Sequence, residues 1–290
     1  MAQDVEPSFP VLPAFVTGFR AERLEDKAFV SGCVLSSLND VVKLEAVPQA
    51  FWRDRLALRA AAHHTRVVGR REDEKAIRDE VSLLRAGERP GPAGEIGLIW
   101  RRATQKPISK TNFLRAMPAL SKDLLDIWDM AGPDAPVSRA ASVIEAVMAA
   151  GGRNSLAAAV LADAALSQAL NWEFLLPILG STMTGRELAL QGPDLQAACH
   201  GAVLKFAQDA LPEAHEIARR ARRLNAVAPQ LRAKASGDVV NHFLRQDAVT
   251  PAMLRALMSD RAARRICDRL LDLGAVRELS GRDSFRIYGL

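Results

Sequence analysis

From about residue 21 to residue 223, apolar residues recur at three- and four-residue spacing, and no alternating β-branched run interrupts them. That is the period of one face of an α-helix, so the chain can bury its apolar side chains only by packing helix on helix. Helices are predicted near 21–46, 48–68, 71–86, 93–104, 109–130, 137–150, 153–170 and 194–223. The turn clusters GERPGPAG and MAGPDAPVS punctuate them, and the second, around 132–136, marks the expected division inside a helical domain of residues 21–235. Residues 1–20, broken by Pro7, Pro10 and Pro13, read as an arm without a core of its own.

The most apolar stretch, SLAAAVLADAALSQALNWEFLLPILG, is interrupted by Asp163, Gln168, Asn171 and Glu173, so no membrane span is expected. Within it, LNWEFLLPILG, with Trp172 and Pro177, reads as core packing, with the lining of a pocket as the alternative. Cys33, Cys199 and Cys267 are far apart and form no CxxC or Cys/His ligand spacing, which favours free thiols in a reducing compartment. The first residues lack the pattern of a signal peptide, and a cytoplasmic location is expected. No metal site and no cofactor are expected, because P-loop, Rossmann, zinc-finger and nucleophile-elbow patterns are absent. His63 and His64 are adjacent, and adjacent helical residues point about a hundred degrees apart, so they do not share a metal easily. The charged run GRREDEKAIRDE reads as a solvated helix face.

The ending differs from what precedes it. DVVNHFLR, residues 238–245, predicts a short helix with Val239, Val240, Phe243 and Leu244 on one side. Thr250 followed by Pro251 is an N-cap and first-turn signal that opens a second helix, PAMLRALM. Ser259 caps a third, in which Ala263, Ile266, Cys267, Leu270 and Leu271 make one apolar stripe, and Gly274 stops it. Two short alternating runs then flank Gly281, Arg282 and Asp283 as a hairpin. Three short helices followed by a β-hairpin is the order of a winged helix-turn-helix, here expected over residues 236–290. Val276, Leu279, Phe285 and Ile287 should then face the third helix, with Arg286 and Tyr288 on the opposite side of the last strand. The fold expected for the whole chain is mainly α, a multi-helix N-terminal domain followed by this winged unit.

With the apolar stripe turned inward, Arg261, Arg264, Arg265 and Arg269 are left on the solvent side of the third helix. Arg261 with Arg265, and Arg265 with Arg269, are like-charge i,i+4 pairs, each unfavourable by ~0.2 to 0.5 kcal/mol without an anion beside them, and Asp268 and Asp272 relieve part of this. From Arg219 to Leu290 the chain has 15 Lys and Arg against 7 Asp and Glu, a balance of +8, while residues 1–218 have 24 against 27, a balance of −3. A basic C-terminal end is a reason to consider a polyanion partner, with a solvated helix face that serves solubility as the alternative. The expected interface with double-stranded DNA therefore comprises Ser259, Arg261, Arg264, Arg265 and Arg269 on the helix, and Arg282 and Arg286 on the wing. Arg219, Arg220, Arg222 and Arg223, in EIARRARRL, either reach flanking phosphates or keep a long helix soluble.

The stretch 259–290 resembles the winged helix attached to some Fic-family proteins. That resemblance implies a test for nucleotide transfer, which needs a catalytic His followed by a glycine-rich anion loop and Arg. Nothing of that form surrounds His200, His215 or His242. More broadly, LRAAAHHTRVVGRREDEKAIRDE, PGPAGEIGLIWRR, NAVAPQLRAKASGDVV and the terminal segment resemble an uncharacterised alphaproteobacterial domain of unknown function (DUF1403-like), common on plasmids and other mobile replicons. This implies a bacterial setting and no mechanism. The expected role is a DNA-binding regulator or replicon-maintenance factor, not an enzyme, acting as a homodimer. Docking of a protein partner by the winged unit is the alternative, and a degenerate nucleotide-transfer protein the third.

Overall fold

The computed structural model describes residues 9–18, 23–85, 87–132, 134–231, 235–281 and 284–290. The helices run in chain order as α1 (Ala14–Gly18), α2 (Leu24–Lys43), α3 (Gln49–Val67), α4 (Glu74–Leu83), α5 (Pro92–Gln105), α6 (Lys110–Ala116) and α7 (Lys122–Asp129). They continue as α8 (Pro136–Ala149), α9 (Ser155–Ala169), α10 (Gly185–Leu188), α11 (Gly192–Val227), α12 (Ser236–Phe243) and α13 (Asp260–Asp272). Tight 3₁₀ turns occupy Ala228–Gln230 and Pro251–Ala256, and the only strands among the described residues are β1 (Arg277–Glu278) and β2 (Tyr288–Gly289).

Most boundaries follow from local chemistry. Pro92 and Pro136 occupy first-turn positions, where a missing N–H costs nothing. Asp73, Ser109, Ser121 and Ser259 each accept a hydrogen bond from a first-turn amide. The predicted helix 109–130 is two helices, because Pro118 breaks it and the Ser121 hydroxyl starts α7. PAMLRALM winds as a 3₁₀ turn and not as an α-helix.

α9 is buried all round from Ala158 to Ser167 and packs along α8. Its composition, mostly Ala with Val and Leu, lets neighbouring helices approach on every side. α3 pairs with α5, and α2 pairs with the long α11. α7 lies against both α8 and α9, across the turn where a division was expected. Of the arm, Phe9 stacks on His215 of α11 with ring centroids 4.5 Å apart, and Val16 is buried. LNWEFLLPILG is core, as expected: Trp172 is buried with its Nε1 donating to Asn39 Oδ1 at 3.1 Å. No helix among the described residues is long and apolar enough to cross a membrane.

At the centre of this core, Asp163 of α9 accepts hydrogen bonds from the amides of Leu179 (2.7 Å) and Gly180 (2.9 Å). Burial drives its carboxyl up to about 8, against the pull of those amides. Gly180 is pressed against the Trp100 ring so closely that a Cβ there would lie 2.2 Å from it.

A joint of buried charges ties residue 247 to the N-terminal helices. Asp247 is ion-paired with Arg55 of α3 and, at 2.7 Å, with Arg78 of α4. Its backbone amide donates to Asp54 at 2.9 Å, and Asp54 in turn holds Arg101 of α5 at 2.8 Å. Burial alone would raise the Asp247 carboxyl, but the two guanidiniums outweigh it and hold it below the usual carboxylate range. Asp54 is pushed up by its burial, with Arg101 opposing. The run GRREDEKAIRDE is thus not wholly a solvated face. Arg78 is part of the joint, Asp79 is buried, and Glu80 accepts the amides of Gly91 and Gly94 at the start of α5.

Candidate nucleic-acid interface

The C-terminal unit is built around α13. Ala263, Ile266, Cys267 and Leu270 are buried, while Arg261, Arg264, Arg265 and Arg269 are exposed, as their spacing predicts. The 3₁₀ turn packs against α13 and buries Leu254, and Val239, Val240 and Phe243 of α12 are buried as well. Val249, just before the 3₁₀ turn, exchanges both backbone hydrogen bonds with Tyr288 at 2.8 and 2.9 Å, and Tyr288 pairs with Glu278. The hairpin is thereby tied to the segment between α12 and the 3₁₀ turn as well as to itself.

The last strand does not alternate as expected. Phe285 has φ of +57° and is 68% exposed, whereas Ile287, Tyr288 and Leu290 are all buried. A residue in left-handed backbone cannot continue a pleat, so the alternation inferred from Phe285 does not hold. Tyr288 belongs inside because its ring packs in the core while its hydroxyl donates to Asp268 at 3.1 Å.

The arginines fall into two groups. Among the described residues, Arg261, Arg265 and Arg269 have no carboxylate partner, and at i, i+4 and i+8 they form a row ~12 Å long on one side of α13. The others are engaged. Arg264 pairs with Asp260 at 2.9 Å, and Asp260 also holds Arg255 at 3.0 Å. Arg286 lies 3.7 Å from Asp268 and 3.8 Å from Glu278. Arg282 lies outside the described residues. The Ser259 hydroxyl caps α13, accepting from the Ala262 amide at 3.4 Å. In EIARRARRL, Arg219 and Arg220 share Glu216, and Arg223 donates to the Leu273 carbonyl at 3.4 Å where α13 ends. Arg222 is exposed and is not without an interaction of its own.

The histidines do not converge. His63 meets the Met183 carbonyl at 2.9 Å, and His64 lies 3.4 Å from Ser155 Oγ. His200 Nδ1 is 2.6 Å from Ser31 Oγ, and that hydroxyl also lies 3.1 Å from the Ala28 carbonyl. No group of His, Cys, Asp and Glu among the described residues could hold a metal ion. Burial, helped by the neighbouring His63, pushes His64 down to about 4. As pH falls below about 6.5, the unfolded chain takes up a proton that the folded chain refuses, so stability drops until about pH 4 and then levels. Unfolding free energies from urea titrations between pH 7 and pH 4 should fall more steeply for the native chain than for His64→Gln, by ~1.4 kcal/mol per pH unit within that window. Equal slopes would mean that the ring is not kept neutral.

Sequence comparison adds a family and no relative of known activity. A family model described as "Protein of unknown function (DUF1403)" matches residues 2–290. No curated protein matches the chain.

Proposed function

We propose that this chain, which belongs to the DUF1403 family, binds double-stranded DNA through α13 and acts as a regulator or maintenance factor without catalytic chemistry. The observation that carries the reading is the row Arg261, Arg265 and Arg269, unpaired among the described residues on a helix whose opposite face is buried. Three like charges at this spacing repel one another until an anion arrives, and guanidiniums fit both phosphate oxygens and the acceptor edge of guanine. The order α12, Val249 bridge, 3₁₀ turn, α13 and hairpin supports a winged helix-turn-helix reading, with α13 as the helix presented to the major groove. Thr250 and Pro251 start the turn, and Ser259 fixes where α13 begins.

If four to six phosphates are neutralised, log K should fall against log salt with a slope of about −4 to −5. Arg265→Ala should relax base preference by about 1 to 3 kcal/mol at one position if it reads a base. Affinity for fragments selected from the source genome, measured across salt concentrations, checks both. Absence of binding at low salt, or binding indifferent to salt, would remove the reading.

One observation favours a second reading, in which the wing docks a protein. Phe285 is a large apolar side chain held out at 68% exposure beside Arg286. If Phe285→Ala abolishes recovery of a protein partner while α13 variants do not, and DNA is not bound, docking replaces DNA recognition.

A further inference from the structure

We propose that the cleft between α5 and α6 is a binding site for a small phosphorylated molecule, separate from the α13 surface. The cleft is open to solvent on one side, offers about 300 Å³, and is lined by Arg101, Arg102, Gln105, Lys106, Asn112 and Arg115. Four of these six side chains are cations and none is a carboxylate. Arg101 is already committed to Asp54, at 2.8 Å. Arg102, Lys106 and Arg115 are exposed and have no acidic partner among the described residues. A convex charged helix face suits a duplex groove, but a concave site of this size suits a compact ligand. A phosphate monoester carries about −1.5 to −2 charges at neutral pH and presents three acceptor oxygens. Arg102 and Arg115 approach from two different helices, with Lys106 as a point charge between their two elements, so the dianion can be held from more than one side.

The frame of the cleft is fixed before any ligand arrives. Gln105 donates its Nε2 to the Ala50 carbonyl at 2.7 Å, which leaves its side-chain oxygen available to accept from a ligand hydroxyl or amine. Asn112 donates its Nδ2 to the Pro107 carbonyl at 2.9 Å, and the Ile108 amide donates to the Glu173 carbonyl at 3.0 Å. Arg53 lies over the Phe174 ring at 3.9 Å and donates to the Thr104 carbonyl at 3.0 Å, holding the end of α5 from behind. The fixed frame spares the backbone any ordering when a ligand binds, and only the exposed side chains of Arg102, Lys106 and Arg115 have rotamer freedom to lose.

Calorimetric titration of the full chain with inorganic phosphate, pyrophosphate and adenosine monophosphate tests the site, with adenosine as the uncharged control. Saturable binding of a phosphate-bearing probe at one per chain is expected, with none for adenosine. Arg102→Ala and Arg115→Ala, both surface changes that should fold normally, should each weaken it at least tenfold, while Arg265→Ala leaves it unchanged. No saturable binding by any phosphate-bearing probe, or binding indifferent to the Arg102→Ala/Arg115→Ala double variant, overturns the proposal. It is also overturned if the double variant weakens only duplex DNA binding, because the cleft is then part of a nucleic-acid surface. The α13 reading stands or falls separately, on Arg261, Arg265 and Arg269.

Discussion

Asp247→Ala is expected to destabilise the chain by about 3 to 5 kcal/mol, because it removes the one carboxylate shared by Arg55 and Arg78. Both guanidiniums are largely out of water, with side-chain exposures of 16% and 13%, and each would be left as a partly buried charge without its counter-ion. Asp247→Asn should cost nearly as much, since it keeps the shape and discards the charge. The discriminating measurement is a cycle in urea. Once Asp247 is gone, replacing Arg55 and Arg78 by methionine should recover part of the loss, because the variant that buries no unpaired charge is the less strained one. A loss below about 1 kcal/mol for Asp247→Ala would show that water reaches the joint freely.

The second large effect is expected at Gly180. A methyl group there would lie 2.2 Å from Trp100 Cη2, 2.4 Å from Cζ2 and 3.1 Å from Asp163 Oδ2. Trp100 is fully buried and cannot swing aside, and the Gly180 amide is fixed by Asp163. Gly180→Ala should therefore cost about 3 kcal/mol or more through overpacking. Trp100→Phe removes the offending edge of the ring, so the double variant should be more stable than Gly180→Ala alone even though Trp100→Phe by itself is destabilising. Thermal unfolding of the four proteins decides it. Additive losses would place the clash elsewhere.

What the sequence disclosed depended on range. Helix positions were legible because periodicity and caps are local: Ser259 and Pro136 mark their helices within a residue or two, and the α13 stripe turned inward as spaced. The split between α6 and α7 carried its own signal, Pro118 followed by Ser121, which the longer apolar pattern masked. Phe285 was misplaced because alternation presumes continuous strand, and its backbone lies outside the pleat. The charged joint was not legible, since Asp54 and Asp247 meet across 193 positions. One hint existed, for Asp54 stands three residues from Phe51 and from Ala57 on the buried face of α3, where an unpartnered carboxylate would be too costly. The cleft was equally hidden, because Arg102 and Arg115 become neighbours only when α5 and α6 fold back on each other.

The joint at Asp247 also restricts how this protein can be rearranged. A segment starting at residue 236 and transplanted onto another carrier would take Asp247 with it and leave Arg55, Arg78 and the Asp54 acceptor behind. The graft would arrive with an unmatched acid beside Ala248 and Val249, the residues that lead into the 3₁₀ turn and anchor the hairpin. Recombination at that boundary should yield a sound cassette only where the recipient leaves that acid in water or supplies two arginines at the same places. Rearranging this chain without disturbing the joint therefore means moving α3, α4 and the C-terminal unit together.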